Sequence, residues 1–218
     1  MTSLMNSNRH VELCQLSATA SVLLPALSQE TRALEQLPAQ QRSALERGPA
    51  TVIREEGQFI GRVLIRASES EVWDVLTDYD NFKEFIPDIE SSRLLDSSGD
   101  RRVFEQINIF RFFLVTLRSR IVIESLLNYP RHIDFRLVEG DLDGLRGTWC
   151  LKTIPASRES QSPQVLLTQQ VAIEPRGSSS NRGVFYDTYR DIMQETLVDL
   201  KQESERRSRQ RSHMTPLT

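Results

Sequence analysis

Apolar and polar positions alternate along most of this chain, and then the period changes. In RGVFYDTYRDIMQETLVDL, residues 182–200, apolar side chains fall at Val184, Phe185, Tyr189, Ile192, Met193, Leu197 and Leu200. That spacing puts one continuous stripe on a helix of about five turns. Upstream the period is two. Val52–Arg66 reads as one long strand, with Ile53, Phe59, Val63 and Ile65 on one face, charged residues on the other, and bends at Gly57 and Gly61. Ser68 with Glu71 makes a capping-box pattern for a helix over Glu69–Leu76. A second helical piece at Phe82–Phe85 is ended by Pro87. Six more strand patterns follow at Ile89–Leu95, Arg102–Phe110, Leu117–Leu126, Arg131–Val138, Gly147–Ile154 and Gln164–Ile173. The turn residues and short spacings between them make neighbours antiparallel.

The order is therefore one strand, two short helices, six strands and a long helix. This predicts an α+β, helix-grip fold: a seven-stranded antiparallel sheet wrapped around a long C-terminal helix. The helix must bury its stripe on the concave face of the sheet. Where it does not fill the concavity, an apolar cavity remains. Residues 1–50 read as an N-terminal arm, partly helical or disordered, because Pro38 splits its helical pattern and Gly48-Pro49 stops it. Residues 51–202 form the domain, and 203–218 a disordered basic tail.

Composition narrows the function. The chain has 218 residues, 39% hydrophobic and 26% charged, with a net charge of −3. Nothing in that balance draws nucleic acid, although Lys201–Arg211 is basic. No run of about 18 apolar residues is present. Leu13–Leu27 is only mildly apolar, is preceded by Glu12 with no cationic start beyond Arg9, and is not read as a secretory signal. Two cysteines, Cys14 and Cys150, give neither a disulfide framework nor metal-ligand spacing. A cytoplasmic location is the default.

Catalytic groups are sparse. His132 alternates with Asp134 and Arg136, which puts it on the outer face of its strand, and no Ser/His/Asp set assembles around it. Asp78, Asp80 and Asp88 read as turn and capping residues. Asp141 and Asp143 lie in a turn too short for a calcium loop. There is no phosphate-binding glycine motif. No catalytic residue, metal or cofactor is expected.

The strand faces say more. Ile107, Ile109, Leu117, Ile121, Ile123, Ile133, Phe135, Leu137, Trp149, Leu151, Val171 and Ile173 share the concave parity, with Ser119, Thr153 and Gln169 among them. A few polar groups in an apolar cleft are what a small-molecule pocket uses to orient a ligand. A solid core with three satisfied polar residues is the plainer alternative. Ile109–Val115, IFRFFLV, breaks the alternation, so Phe110, Phe112, Phe113 and Leu114 form an apolar hairpin tip. It packs beneath the N-terminal arm or docks on a membrane.

The segment IRASESEVWDVLTDYDNFKEFIPDIESSRLL resembles the opening of the START-like superfamily (SRPBCC), the polyketide cyclase and coenzyme Q-binding proteins. Val72, Trp73, Leu76, Asp78, Tyr79, Phe85, Pro87, Ser91 and Ser92 carry the resemblance. LVEGDLDGLRGTWCL is similar to a later turn of that family. The likeness covers roughly residues 52–200 and implies binding and transport of a hydrophobic small molecule, such as an isoprenoid quinone or another lipid. Phe82, Phe85, Ile107, Ile121, Phe135, Leu137, Trp149, Leu151, Gln169, Tyr189, Met193 and Leu197 are the expected pocket residues, with Phe82 and Phe85 at its mouth. An aromatase/cyclase and a ribosome- or protein-binding module are the alternatives. The missing pocket histidine and paired carboxylates weigh against the enzyme.

Overall fold

The computed structural model describes residues 34, 37–112, 115–156, 163–177 and 182–214. A short helix α1 (Ala39–Arg47) precedes strands β1 (Thr51–Glu55) and β2 (Gln58–Ile65). Helix α2 (Glu69–Leu76), a 3-10 turn (Tyr79–Asn81) and helix α3 (Phe82–Phe85) follow. Then come β3 (Ile89–Ser98), β4 (Arg101–Phe112), β5 (Val115–Asn128), β6 (His132–Gly140), β7 (Leu142–Ile154) and β8 (Gln164–Pro175), before helix α4 (Arg182–Met214). The strands make one sheet in the order β1-β2-β8-β7-β6-β5-β4-β3, every neighbouring pair antiparallel.

There are eight strands rather than seven because Val52–Arg66 is a hairpin. Glu56 and Gly57 both have positive φ, 48° and 78°, and Thr51 pairs back with Arg62. Two consecutive left-handed residues make the tight turn whose twist suits a hairpin.

Two apolar clusters flank the sheet. The smaller joins Leu45 of α1 to Leu64, Ile154 and Leu166, which lie on the outer face of β2, β7 and β8. The Arg62 guanidinium donates to Gln41 Oε1 at 3.1 Å beside it. The described part of the arm is thus helical and packed. The larger cluster lies on the inner face, under α2, the 3-10 turn and α4. Helix α2 starts on the expected capping box. The Glu71 N–H donates to Ser68 Oγ at 3.3 Å, and the Ser68 N–H to Glu71 Oε2 at 2.8 Å. Such a cap contributes about 1 kcal/mol.

Helix α4 buries Met193, Leu197 and Leu200, each burial favouring the fold by about 1.5–3 kcal/mol. Gly61 of β2 lets it lie close. A Cβ there would stand 2.6 Å from Leu197 Cδ1 and 2.8 Å from Met193 Cε. Val184 falls off the stripe and is 61% exposed. The helix continues to Met214, so residues 203–214 are helical where a disordered tail was expected. Side-chain pairing holds these last turns down. Arg207 donates to both Glu203 and Asp78, Arg206 to Glu203, and Arg211 to Asp74 of α2. Burial disfavours the Arg207 charge, but hydrogen bonds and the charges of Glu203 and Asp78 outweigh it and raise its pKa. Ser204 is fully buried and donates to the Leu200 carbonyl.

The outer face of β3–β6 carries two cross-strand ion rows. Arg93, Glu105, Arg120 and Glu139 form one, and Asp96, Arg101, Glu124 and Arg136 the other, with the opposite order of signs. His132 belongs to this face, its Nε2 3.0 Å from Asp134 Oδ1. Cys150 of β7 is not a free thiol.

Candidate cavity beneath the C-terminal helix

Between the inner face of the sheet and α4 lies a partly open cavity of about 180 Å³. Its floor comes from facing pairs of the β4–β5 ladder: Phe104 opposite Ile123, Gln106 opposite Ile121, and Asn108 opposite Ser119. Ile133 and Phe135 of β6, Trp149 of β7 and Gln169 of β8 extend it. Phe185, Tyr189, Ile192, Met193, Thr196 and Leu200 form the roof. Leu76, Tyr79, Phe82, Ile86, Asp88 and Ile89 close one side.

Of the expected pocket residues, Phe82, Ile121, Phe135, Trp149, Gln169, Tyr189 and Met193 line this space. Five do not. Ile107 pairs with Arg120 of an outer ion row and so sits on the outer face. The even residues of β4 point inward, and two of them, Gln106 and Asn108, are polar, which inverts the reading by hydrophobicity. Leu151 and Leu197 are buried in solid core, at 1% and 0% exposure. Leu137 packs against that core. Phe85 stands behind Phe82, edge to face, under the Arg207 guanidinium. Of the other inward-parity residues, Leu117 is 51% exposed, and Thr153 donates to Glu69 of α2. At the hairpin tip, Phe110 lines the cavity. The Phe112 side chain, Phe113 and Leu114 lie outside the described residues.

Hydrophobicity alone missed Tyr79, Gln106, Asn108, Ser125 and Thr196, because polar residues on an inner face resemble outward ones. Tyr79 is 5% exposed and stacks on Phe104, with ring centroids 4.4 Å apart. Its buried hydroxyl has no hydrogen-bond partner among the described residues. Burial raises its pKa. The nearby Ser125 hydroxyl and Arg102 charge offset that in part, but Ser125 does not stand in hydrogen-bonding geometry. Burial also pushes the Tyr189 phenol well up, so both phenols are neutral donors.

No lysine, arginine or histidine lines the cavity among the described residues, and Asp88 is its one carboxylate. Next to it, on α4, the Asp199 carboxyl is pushed up to about 6 by burial and by the charges of Glu195 and Asp88. A raised folded pKa means that the charged form is disfavoured in the fold. That cost is absent below about pH 4, the unfolded value, builds as pH rises through about 6, and is complete above it. Asp199→Asn is accordingly expected to raise the melting temperature at pH 7.5 and to change it little at pH 4, measured by paired thermal melts.

The arrangement can enclose and orient a small apolar molecule. Among the described residues no three of His, Cys, Asp and Glu gather to hold a metal ion, and no nucleophile–base pair is present in the lining. No described helix is long and apolar enough to cross a membrane.

The fold agrees with comparisons to known proteins. A protein from Thermus thermophilus superposes with a TM-score of 0.55 at 18% identity, covering 71% of this chain and 99% of its own. The Zhui aromatase/cyclase from Streptomyces sp. R1128 has a TM-score of 0.55 at 17% identity, with coverages of 69% and 94%. A STAR-related lipid transfer protein from Xanthomonas axonopodis has 0.55 at 19% identity, with 71% and 92%. These likenesses establish the START-like fold. No curated protein matches the sequence. The family model described as polyketide cyclase / dehydrase and lipid transport matches residues 65–187, more than half of the chain, and the chain belongs to that family.

Proposed function

We propose that the protein binds and carries a hydrophobic small molecule, an isoprenoid quinone or another lipid, in the cavity beneath α4. The observation that carries this reading is the cavity itself, about 180 Å³ of space left between sheet and helix and walled mainly by aromatic and branched side chains. Each buried CH₂ of a ligand would contribute about 0.8 kcal/mol. Lipid transport in the description of the family supports the same reading. The absence of a histidine or paired carboxylates from the lining among the described residues favours carriage over cyclisation. The test is a solvent extract of the purified full chain read by mass spectrometry. A stoichiometric apolar compound supports carriage. A protein that yields none, and takes up none from a lipid mixture, rejects it.

A carrier has to collect its cargo at a bilayer. The tip around Phe110, beside the cavity and next to exposed Leu117, is the proposed contact. Helix α4 adds little charge to it, since Arg206, Arg207 and Arg211 are paired within the fold. Vesicle flotation is expected to retain the parent more than a Phe112→Ser/Phe113→Ser variant. Equal flotation of the two would reject the tip as the contact.

A further inference from the structure

The polar groups of the cavity are not spread evenly. Tyr79 and Ser125 stand at its buried end, at 5% and 3% exposure, and Gln106, at 9%, lies farther along the floor. The residues toward the opening, Asn108, Phe110, Ser119, Phe185 and Thr196, are half-exposed. Free space in proteins is ordinarily most apolar where it is deepest, because a buried polar group without a partner is costly. Here the deepest end holds a phenol hydroxyl that nothing in the described chain satisfies.

We propose that the Tyr79 hydroxyl, supported by Ser125 and Gln106, is the anchor for an uncharged head group bearing a carbonyl or ether oxygen. The ligand then lies head-in, its apolar tail leaving between the Phe110 tip and the Phe185 turn of α4. This deepens the carrier reading and rests on it. Three features set the ligand class. The Tyr79 O–H is a neutral donor, so its complement is an acceptor oxygen. Phosphate and carboxylate heads are disfavoured because no cation lines the cavity among the described residues. The volume suits one ring, since a protein cavity of about 150 Å³ accommodates benzene. Phe104, stacked on Tyr79, and Phe82, edge-on to it, give such a ring aromatic walls.

Tyr79→Phe removes the hydroxyl and little else. Because that hydroxyl has no partner among the described residues, the melting temperature of the variant is expected to match or exceed that of the parent. Calorimetric titration of the full chain uses two probes, a para-benzoquinone carrying a hexyl chain and hexylbenzene. The parent is expected to bind both, and the variant to lose about tenfold for the quinone while hexylbenzene is unchanged. An unchanged quinone affinity in Tyr79→Phe would overturn the anchor and leave the carrier reading standing. A parent that binds neither probe would reject the carrier reading, and the anchor with it. Should Tyr79→Phe fold poorly, Gln106→Leu provides the same comparison. A selective loss for the quinone supports the anchor, and equal affinity for both probes opposes it.

Discussion

Gly147→Ala is expected to lower the melting temperature by roughly 6–12 °C, the largest effect of any single methyl group considered for this protein. Gly147 pairs with Phe135 on one side and Val171 on the other, in the middle of the sheet. A Cβ there would fall inside the carbonyl oxygen of Gln170 and stand 2.6 Å from Phe135 Cζ. The carbonyl belongs to the neighbouring strand and cannot move aside without breaking the ladder, so the cost is about 3 kcal/mol. Phe135 lies across the bare backbone and reaches the cavity floor, so the change also displaces a lining residue. Gly99→Ala is the control. Its φ is +54° with no atom within 4 Å of the added carbon, which limits the loss to about 1–2 kcal/mol of backbone strain. Thermal melts of the two variants beside the parent check the difference. A Gly147→Ala protein as stable as Gly99→Ala would show that β7 and β8 are farther apart than described.

Thr196→Trp is expected to cut ligand retention roughly tenfold or more while moving the melting temperature by less than about 3 °C. Thr196 is half-buried on the roof of the cavity, so an indole there enters open space. In a filled interior the same change would overpack and cost about 1–3 kcal/mol. Retention is read by mass spectrometry of extracts from parent and variant. A variant that keeps its ligand but melts far lower would mean that the space is not available to a guest. Met193 is the poorer choice for this substitution. Its Sδ–Cε end already abuts Gly61, so enlargement there presses on β2 as well as on the cavity.

Much of the architecture was legible from period alone. The Ser68–Glu71 cap, the α4 stripe from Phe185 to Leu200 and the run of antiparallel strands follow from local rules that tertiary contacts here reinforce. The hairpin at Glu56-Gly57 was not legible, because Glu seldom adopts positive φ and the shared parity of Ile53, Phe59, Val63 and Ile65 made Gly57 read as a bend within one strand. The basic segment after Leu200 looked like a solvated tail. The acids that fix it, Asp74 and Asp78, lie about 130 residues upstream in sequence. The site was half legible. Aromatic and branched residues on β5–β7 and α4 declared the floor and roof. On β4 the rule that apolar points inward picked the wrong face, since Gln106 and Asn108 face the cavity while Ile107 faces the ion rows. Tyr79 stood in the quoted resemblance, yet its unpartnered hydroxyl appears only once Phe104 and Ser125 are brought around it.

Helix α4, at 33 residues, is about 50 Å long, and it is not held equally along that length. Its last turns are pinned by charged hydrogen bonds to α2 and the 3-10 turn, at Arg207–Asp78 and Arg211–Asp74. Its first turns are held by apolar packing on the core and by ring contacts, Phe185 against Tyr186, Tyr189 against Phe59, with Arg54 over Tyr186. Mechanically this is a beam clamped by ion pairs at the end that covers the Tyr79 side of the cavity and more softly supported, by apolar packing, at the end beside its opening. Thermal bending of such a beam grows toward the more softly supported end. Amide exchange along α4 should therefore be slowest near Leu200–Ser204 and quicken toward Arg182, so that the cavity's roof is stiffest over its buried end and most yielding beside its opening.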